Sequence, residues 1–256
     1  MKYRLTNETI KFGKVILHRI ECVKAFADVK VGDKGGWIEK ESNLSQTDNA
    51  WVYGDAEVYG NAEVFDNAEV FDNAEVYGNA RVSGCAEVHG NAQVFDSASL
   101  FDNARVFDSA SVFGYAEVFG SAKVRDNAWV HGNAKVHGNA KVFDDAKVYS
   151  DARVYGYAAV YDSAQIYDCA VVNGYAVVHG DAKILQGSDY IVFKNNFSSG
   201  RYFTWTRSNN MWTVGCFHGT GEQLIEKARQ DNEDKAKCYA LYVKLVEDLQ
   251  KVNPLI

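Results

Sequence analysis

The sequence predicts a mainly β protein: a parallel β-helix wound from six-residue units, with an N-terminal β cap and a small C-terminal α+β module. Three observations carry this. From Ala50 to Ile184 one six-residue phrase repeats twenty-three times without insertion or deletion. Alanine opens every copy, and an aliphatic residue follows two positions later, mostly Val, with Leu100, Ile166 and Ile184 as variants. The next residue is usually Tyr or Phe, followed by Gly or Asp and then Asn, Asp or Ser. Helical repeats need about twenty or more residues per unit, so a period of six excludes them.

Taken in chain order, residues 1–48 break the period. Val15–Val23 alternates as a strand does, and Gly32–Ile38 reads as a turn into another strand. An array left open would expose a strand edge and its apolar core, so this segment has the place and size of a cap. In the array, residues 49–187, alternation turns Ala and Val to one side and the residue between them, with the aromatic, to the other. Gly, Asp and Asn supply the corner, because they tolerate positive φ. Hairpins would reverse the chain at each corner and leave no separate face to bury. Winding in one sense stacks each strand on an equivalent strand about 4.8 Å along the axis.

Residues 188–256 form the third part. Tyr190–Lys194, Tyr202–Arg207 and Met211–Phe217 read as three strands. Thr220-Gly-Glu-Gln223 is a capping box, which predicts a helix beginning near 221. Cys238, Leu241, Tyr242, Leu245, Leu249 and Val252 recur at helical spacing on one face of a second helix, which packs either on its own sheet or on a neighbouring subunit.

An aliphatic residue followed four positions later by a small one (Val52 to Ala56, Val58 to Ala62) resembles the hexapeptide-repeat family. The resemblance covers 49–187 and implies a left-handed helix with three hexads per triangular coil, hence between seven and eight coils and roughly 35–40 Å of rod. Handedness rests on the family alone, since parallel connections in general favour the right hand. The wording of the ends (Tyr3-Arg4-Leu5, Gly35-Gly36-Trp37, Asn43–Gln46; Phe203–Arg207, Met211–Phe217) is similar to uncharacterised hexapeptide-repeat proteins of bacteria, phages and prophages. Enzymes of the family transfer acyl groups from acyl-coenzyme A with a histidine base and a loop that breaks the coil. This array has no such loop.

No stretch approaches eighteen apolar residues and Met1-Lys-Tyr-Arg4 opens no signal peptide, so a cytoplasmic protein without membrane contact is expected. Five cysteines, an odd number at no zinc spacing, fit that expectation. Cys85 and Cys169 are not separated by a multiple of eighteen, so they fall on different corners and form no disulfide. Net charge is −7, and residues 49–108 dominate it with eleven carboxylates against two arginines. Glu57, Glu63, Glu69 and Glu75 form the acidic surface; Lys123, Lys135, Lys141 and Lys147 follow in later copies.

His89, His131, His137 and His179 occupy the outward aromatic slot, where imidazole is a flat, half-polar substitute for Tyr or Phe. His18 and His218 sit in the end modules. No nucleophile elbow, phosphate loop or dinucleotide fingerprint is present. The expectation is a non-enzymatic scaffold or binding protein with no catalytic residue, cofactor or metal. The alternative is an acyltransferase using His131 or His137 as base at a subunit interface. Residues eighteen apart share a face, so Tyr59, Tyr77, Phe95, Phe113, His131, Tyr149 and Tyr167 form one ladder. It either stacks along the rod or serves self-association as dimer or trimer. Phe113, Trp129, His131, Lys147 and Tyr149 should converge near the fifth coil, where rings and a cation suit a nucleotide-like ligand. The acidic coils suit a basic host protein, and no direct nucleic-acid binding is expected.

Overall fold

The structure, a computed structural model, describes residues 1–252. The N-terminal segment holds three strands, β1 (Tyr3–Phe12), β2 (Val15–Cys22) and β3 (Lys34–Ile38). β1 and β2 form an antiparallel hairpin, β2 pairs antiparallel with β3, and β3 pairs parallel with the array strand Glu57–Val58. The cap therefore extends one rod face instead of plugging the end as a separate body. β1 was not expected from the sequence: its pairing shifts register between Leu5 and Thr9, which breaks the alternation a strand reading depends on.

Strands β4 to β26 are the twenty-three two-residue strands from Trp51–Val52 to Lys183–Ile184, one in each hexad. They lie in three parallel sheets, one of which the cap extends to eleven strands. Each strand pairs with the one eighteen residues on, as Glu57 with Glu75 and Glu75 with Gln93. Three hexads therefore make one coil, and the predicted parallel β-solenoid is the observed fold. Every repeat alanine and aliphatic residue is buried, forming one continuous core from Tyr3 to Ile184.

The corners explain the choice between Gly and Asp. This position has positive φ whichever residue fills it, for example φ 73° at Gly78 and 59° at Asp102. At a glycine corner the coils can approach closely: a Cβ on Gly78 would lie 2.9 Å from the backbone N of Asp96. At most of the Asp corners Oδ2 accepts the amide N–H of the equivalent corner one coil on, 3.1 Å from Asp66 to Gly84 and 3.1 Å from Asp102 to Gly120. Asparagines beside the corner also bond coil to coil, Asn49 Nδ2 donating to Asn67 Oδ1 at 2.9 Å.

Trp51 closes the first coil, edge-on to Tyr3 at 6.1 Å and Phe26 at 5.5 Å. Lys2, almost fully buried, donates from Nζ to the carbonyl of Ala50 at 2.6 Å, and burial lowers its pKa. The far end is sealed by an antiparallel sheet of four strands, β27 (Tyr190–Lys194), β28 (Tyr202–Thr206), β29 (Met211–Val214) and β30 (Phe217–Gly219). The third predicted strand is thus two, divided at Gly215, whose φ of 60° makes the turn. Val177 N–H donates to Thr204 Oγ1 at 3.0 Å and Lys183 N–H to Ser208 Oγ at 2.7 Å, tying the sheet to the last coil.

Helix α1 (Gly221–Asp231) begins where predicted, with Thr220 Oγ1 accepting from Gln223 N–H and Gln223 Oε1 from Thr220 N–H. Helix α2 (Glu233–Val252) follows, and the sheet packs beside the apolar row read from the sequence. Ala236, Tyr239, Val243 and Val246 are buried against Phe203, Trp212 and Leu224. Leu241, Leu245, Leu249 and Val252 are exposed, Leu241 at 70% and Val252 at 84%, while Cys238 and Tyr242 are partly covered. The apolar sector of α2 is wider than the sheet beneath it, and the sheet takes the edge where Tyr239 meets the Phe203 ring at 4.6 Å.

Candidate functional site

The outward side chains, the first place to seek chemistry, are largely engaged with one another. The whole predicted ladder stacks: Tyr59, Tyr77, Phe95, Phe113, His131, Tyr149 and Tyr167 follow at centroid spacings of 4.7 to 5.1 Å with planes within 7°. The coil repeat sets this spacing and lies within the range of favourable ring contacts. Each ring therefore covers its neighbour's face, and the ladder is part of the rod's own packing.

The five residues expected near the fifth coil do come together. Phe113 meets Trp129 edge-on at 6.2 Å and stacks on His131 at 4.7 Å, His131 stacks on Tyr149 at 5.1 Å, and Lys147 Nζ stands 4.8 Å over the exposed Trp129 ring. The cation and its aromatic partner already satisfy one another. His131 and His137 lie within stacks, and neither has a carboxylate in ion-pair range among the described residues. Burial, then Lys147, lowers the His131 pKa; burial, then Arg153 and Lys135, lowers that of His137. Both are therefore neutral at pH 7, with no group fixing the tautomer a general base needs.

The acidic residues divide among the three faces. Glu57 sits beside Glu75 on one, Glu69 beside Glu87 on the second, and Glu63 on the third, where Arg81 Nε reaches it at 3.3 Å. Burial and the neighbouring carboxylates raise the pKa of both Glu57 and Glu69. Beside Glu69, a concavity of about 790 Å3 opens between the cap and the first coils. Asp28, Asp55, Glu69 and Asp72 surround it, with Tyr53 and Phe71 as walls. The sequence reading missed this cleft because Asp28 reaches it from the cap.

It also missed a histidine pair where the rod meets the C-terminal sheet. His179, 8% exposed, stacks on Tyr161 at 4.6 Å and has Nδ1 3.2 Å from Asp162 Oδ2. Its other side meets His218 with centroids 3.9 Å apart, and its Nε2 is buried without a hydrogen-bond partner. A histidine in the last coil was legible; its companion from β30 was not. All five cysteines are free, Cys85 and Cys169 included. Among the described residues no group of three or more His, Cys, Asp or Glu is placed to hold a metal ion, and no helix is long and apolar enough to cross a membrane.

A family model described as the YdcK beta solenoid repeat matches residues 164–180, nearly three hexads. The chain is similar to a protein of Escherichia coli (strain K12) described as "Uncharacterized acetyltransferase YdcK", with 38% identity over 60 residues. That match spans 20% of this chain and 18% of the relative, less than a fifth of its length.

Proposed function

We propose that the protein is a non-enzymatic, self-associating scaffold that presents its rod to a binding partner. One observation carries this reading: the uncovered stripe Leu241, Leu245, Leu249 and Val252 on α2. With Cys238 it recurs at intervals of three and four residues, the spacing by which one helix packs into the holes of another. A second copy of the chain fits this stripe best, because a row of identical character on each copy is self-complementary. The ladder rings of the rod are spent on one another, whereas the residues of this stripe are left exposed at the spacing of a helix-packing face. Light scattering should give a dimer or higher oligomer for the wild type, and a monomer with an unchanged melting temperature for Leu241→Glu/Leu245→Glu. A wild-type chain that stays monomeric at high concentration would remove the self-association.

The partner proposed for the rod is a basic protein of a host cell, met by the acidic first coils. The resemblance of both ends to phage and prophage proteins motivates the host, and the carboxylates of 49–108 motivate the charge. Such binding should weaken steeply with salt and when Glu57, Glu63, Glu69 and Glu75 are neutralised together. A second reading, acyl-coenzyme A-dependent acyl transfer, is favoured by the similar Escherichia coli protein being described as an uncharacterised acetyltransferase. Calorimetric binding of acetyl-coenzyme A, lost in His131→Ala or His137→Ala, would establish it over the scaffold.

A further inference from the structure

A separate concavity of about 260 Å3 lies in the C-terminal module, between the β29–β30 turn and the two helices. Its floor is apolar, lined by Phe217, Leu224 and the Tyr239 ring. Its rim is basic, with Arg201, Lys227 and Lys235 set against the single carboxylate of Asp231. Lys235 is committed, since it ion-pairs with Asp231. Arg201 and Lys227 are in no ion pair among the described residues; Lys227 Nζ reaches only the Gln230 amide oxygen, at 3.4 Å. The positive field is felt nearby: Lys235, then Lys227 and Arg201, hold the Asp231 carboxyl below the usual range.

The turn helps place one of these cations. A Cβ on Gly215 would stand 3.3 Å from Arg201 Nη1 and 3.7 Å from its Cζ, so the bare glycine leaves room for the guanidinium to lie along the turn. Two free cations at the mouth of an apolar hollow are the complement of a molecule with an anionic head and an apolar body. The head would receive charge-assisted hydrogen bonds, which are about twice as strong as neutral ones. The body would be removed from water on the floor, a gain of roughly 25 cal/mol per Å2. Drug-sized ligands occupy roughly 300–1,000 Å3, so this volume suits a single ring or a short chain.

We propose that this cavity binds a small organic anion, an aryl or short acyl group carrying a carboxylate or phosphate, with the head between Arg201 and Lys227. The site shares no residue with the stripe assigned to self-association. Cys216, exposed at the rim, provides a local reporter. The full chain is titrated by calorimetry with phenyl phosphate, benzoate and the neutral benzyl alcohol. Alkylation of Cys216 by iodoacetamide is followed by peptide mass, with the distant, exposed Cys85 and Cys169 as internal controls. One anion should bind and slow alkylation of Cys216 alone, and the preferred anion identifies the head. Arg201→Gln/Lys227→Gln, both at exposed positions, should melt like the wild type and bind that anion about a hundredfold more weakly, as expected for two charge-assisted bonds. Absence of both binding and protection, equal binding by benzyl alcohol, or undiminished binding by the double variant would each overturn the proposal.

Discussion

Val118→Asp tests the inward assignment of the array at its most demanding point. Val118 is fully buried mid-rod, with Leu100 one coil before and Val136 one coil after. Removing the valine side chain forfeits about 1.5–3 kcal/mol of burial. The carboxylate cannot stay ionised among Ala and Val ladders, so it must be held neutral. Raising its pKa from about 4 to beyond 7 consumes some 4 kcal/mol, at 1.36 kcal/mol per unit. The loss should therefore exceed about 4 kcal/mol at pH 7, in the range reserved for an unpaired buried charge. The sign with pH follows: a carboxyl whose folded pKa is raised is tolerated best below its unfolded pKa near 4. The defect therefore grows as pH rises from 4 to 7. The matched control is Tyr115→Asp, three residues upstream at a corner and 70% exposed, which should change stability by less than about 0.5 kcal/mol. Coils of a solenoid open in part, so limited proteolysis should accompany thermal and urea melts and show new cuts near the fourth and fifth coils. If Val118→Asp melts like the wild type, the ladder of inward valines is misassigned.

Three further outcomes follow from the corners, the histidines and the cap. Asp102→Ala keeps the positive φ but loses the bond to Gly120 N–H, and should lower stability by about 1–3 kcal/mol in urea melts; Asp102→Gly, which relieves the strain, should lose less. Burial lowers the pKa of His89, His131 and His137, and burial together with His179 lowers that of His218. A depressed histidine binds its proton more readily when unfolded, so stability is intact above about pH 6.5 and declines below it; melts at pH 7.5 and 5.0 should differ, and His218→Gln should narrow the difference. Lys2→Met removes the buried donor to the Ala50 carbonyl and should cost about 1.5–3 kcal/mol, with the first coil becoming protease-sensitive.

What could be read without coordinates follows from how each feature is encoded. The array repeats one instruction, so Ala50, Val52 and their equivalents identify the core from spacing; the three-hexad coil, and with it the ring ladder, follows from the hexapeptide-repeat resemblance. The corner aspartates appeared there only as turn formers. Their second role, accepting an amide one coil away, depends on the carboxylate reaching eighteen residues forward, which composition does not express. The acidic cleft and the His179–His218 contact each join a repeat to an end module, and no periodicity spans that join. For helix α2, spacing reveals an apolar face but not what that face packs on. Its apolar residues cover two adjoining stripes, and hydrophobic spacing ranks the leucines above Ala236 and Tyr239. The sheet selects by shape instead: Phe203 and Trp212 leave a surface that a small alanine and a flat tyrosine fit closely. The leucines are then left outside by geometry. A stripe this apolar is large enough to need a cover, which is the ground for the proposed self-association.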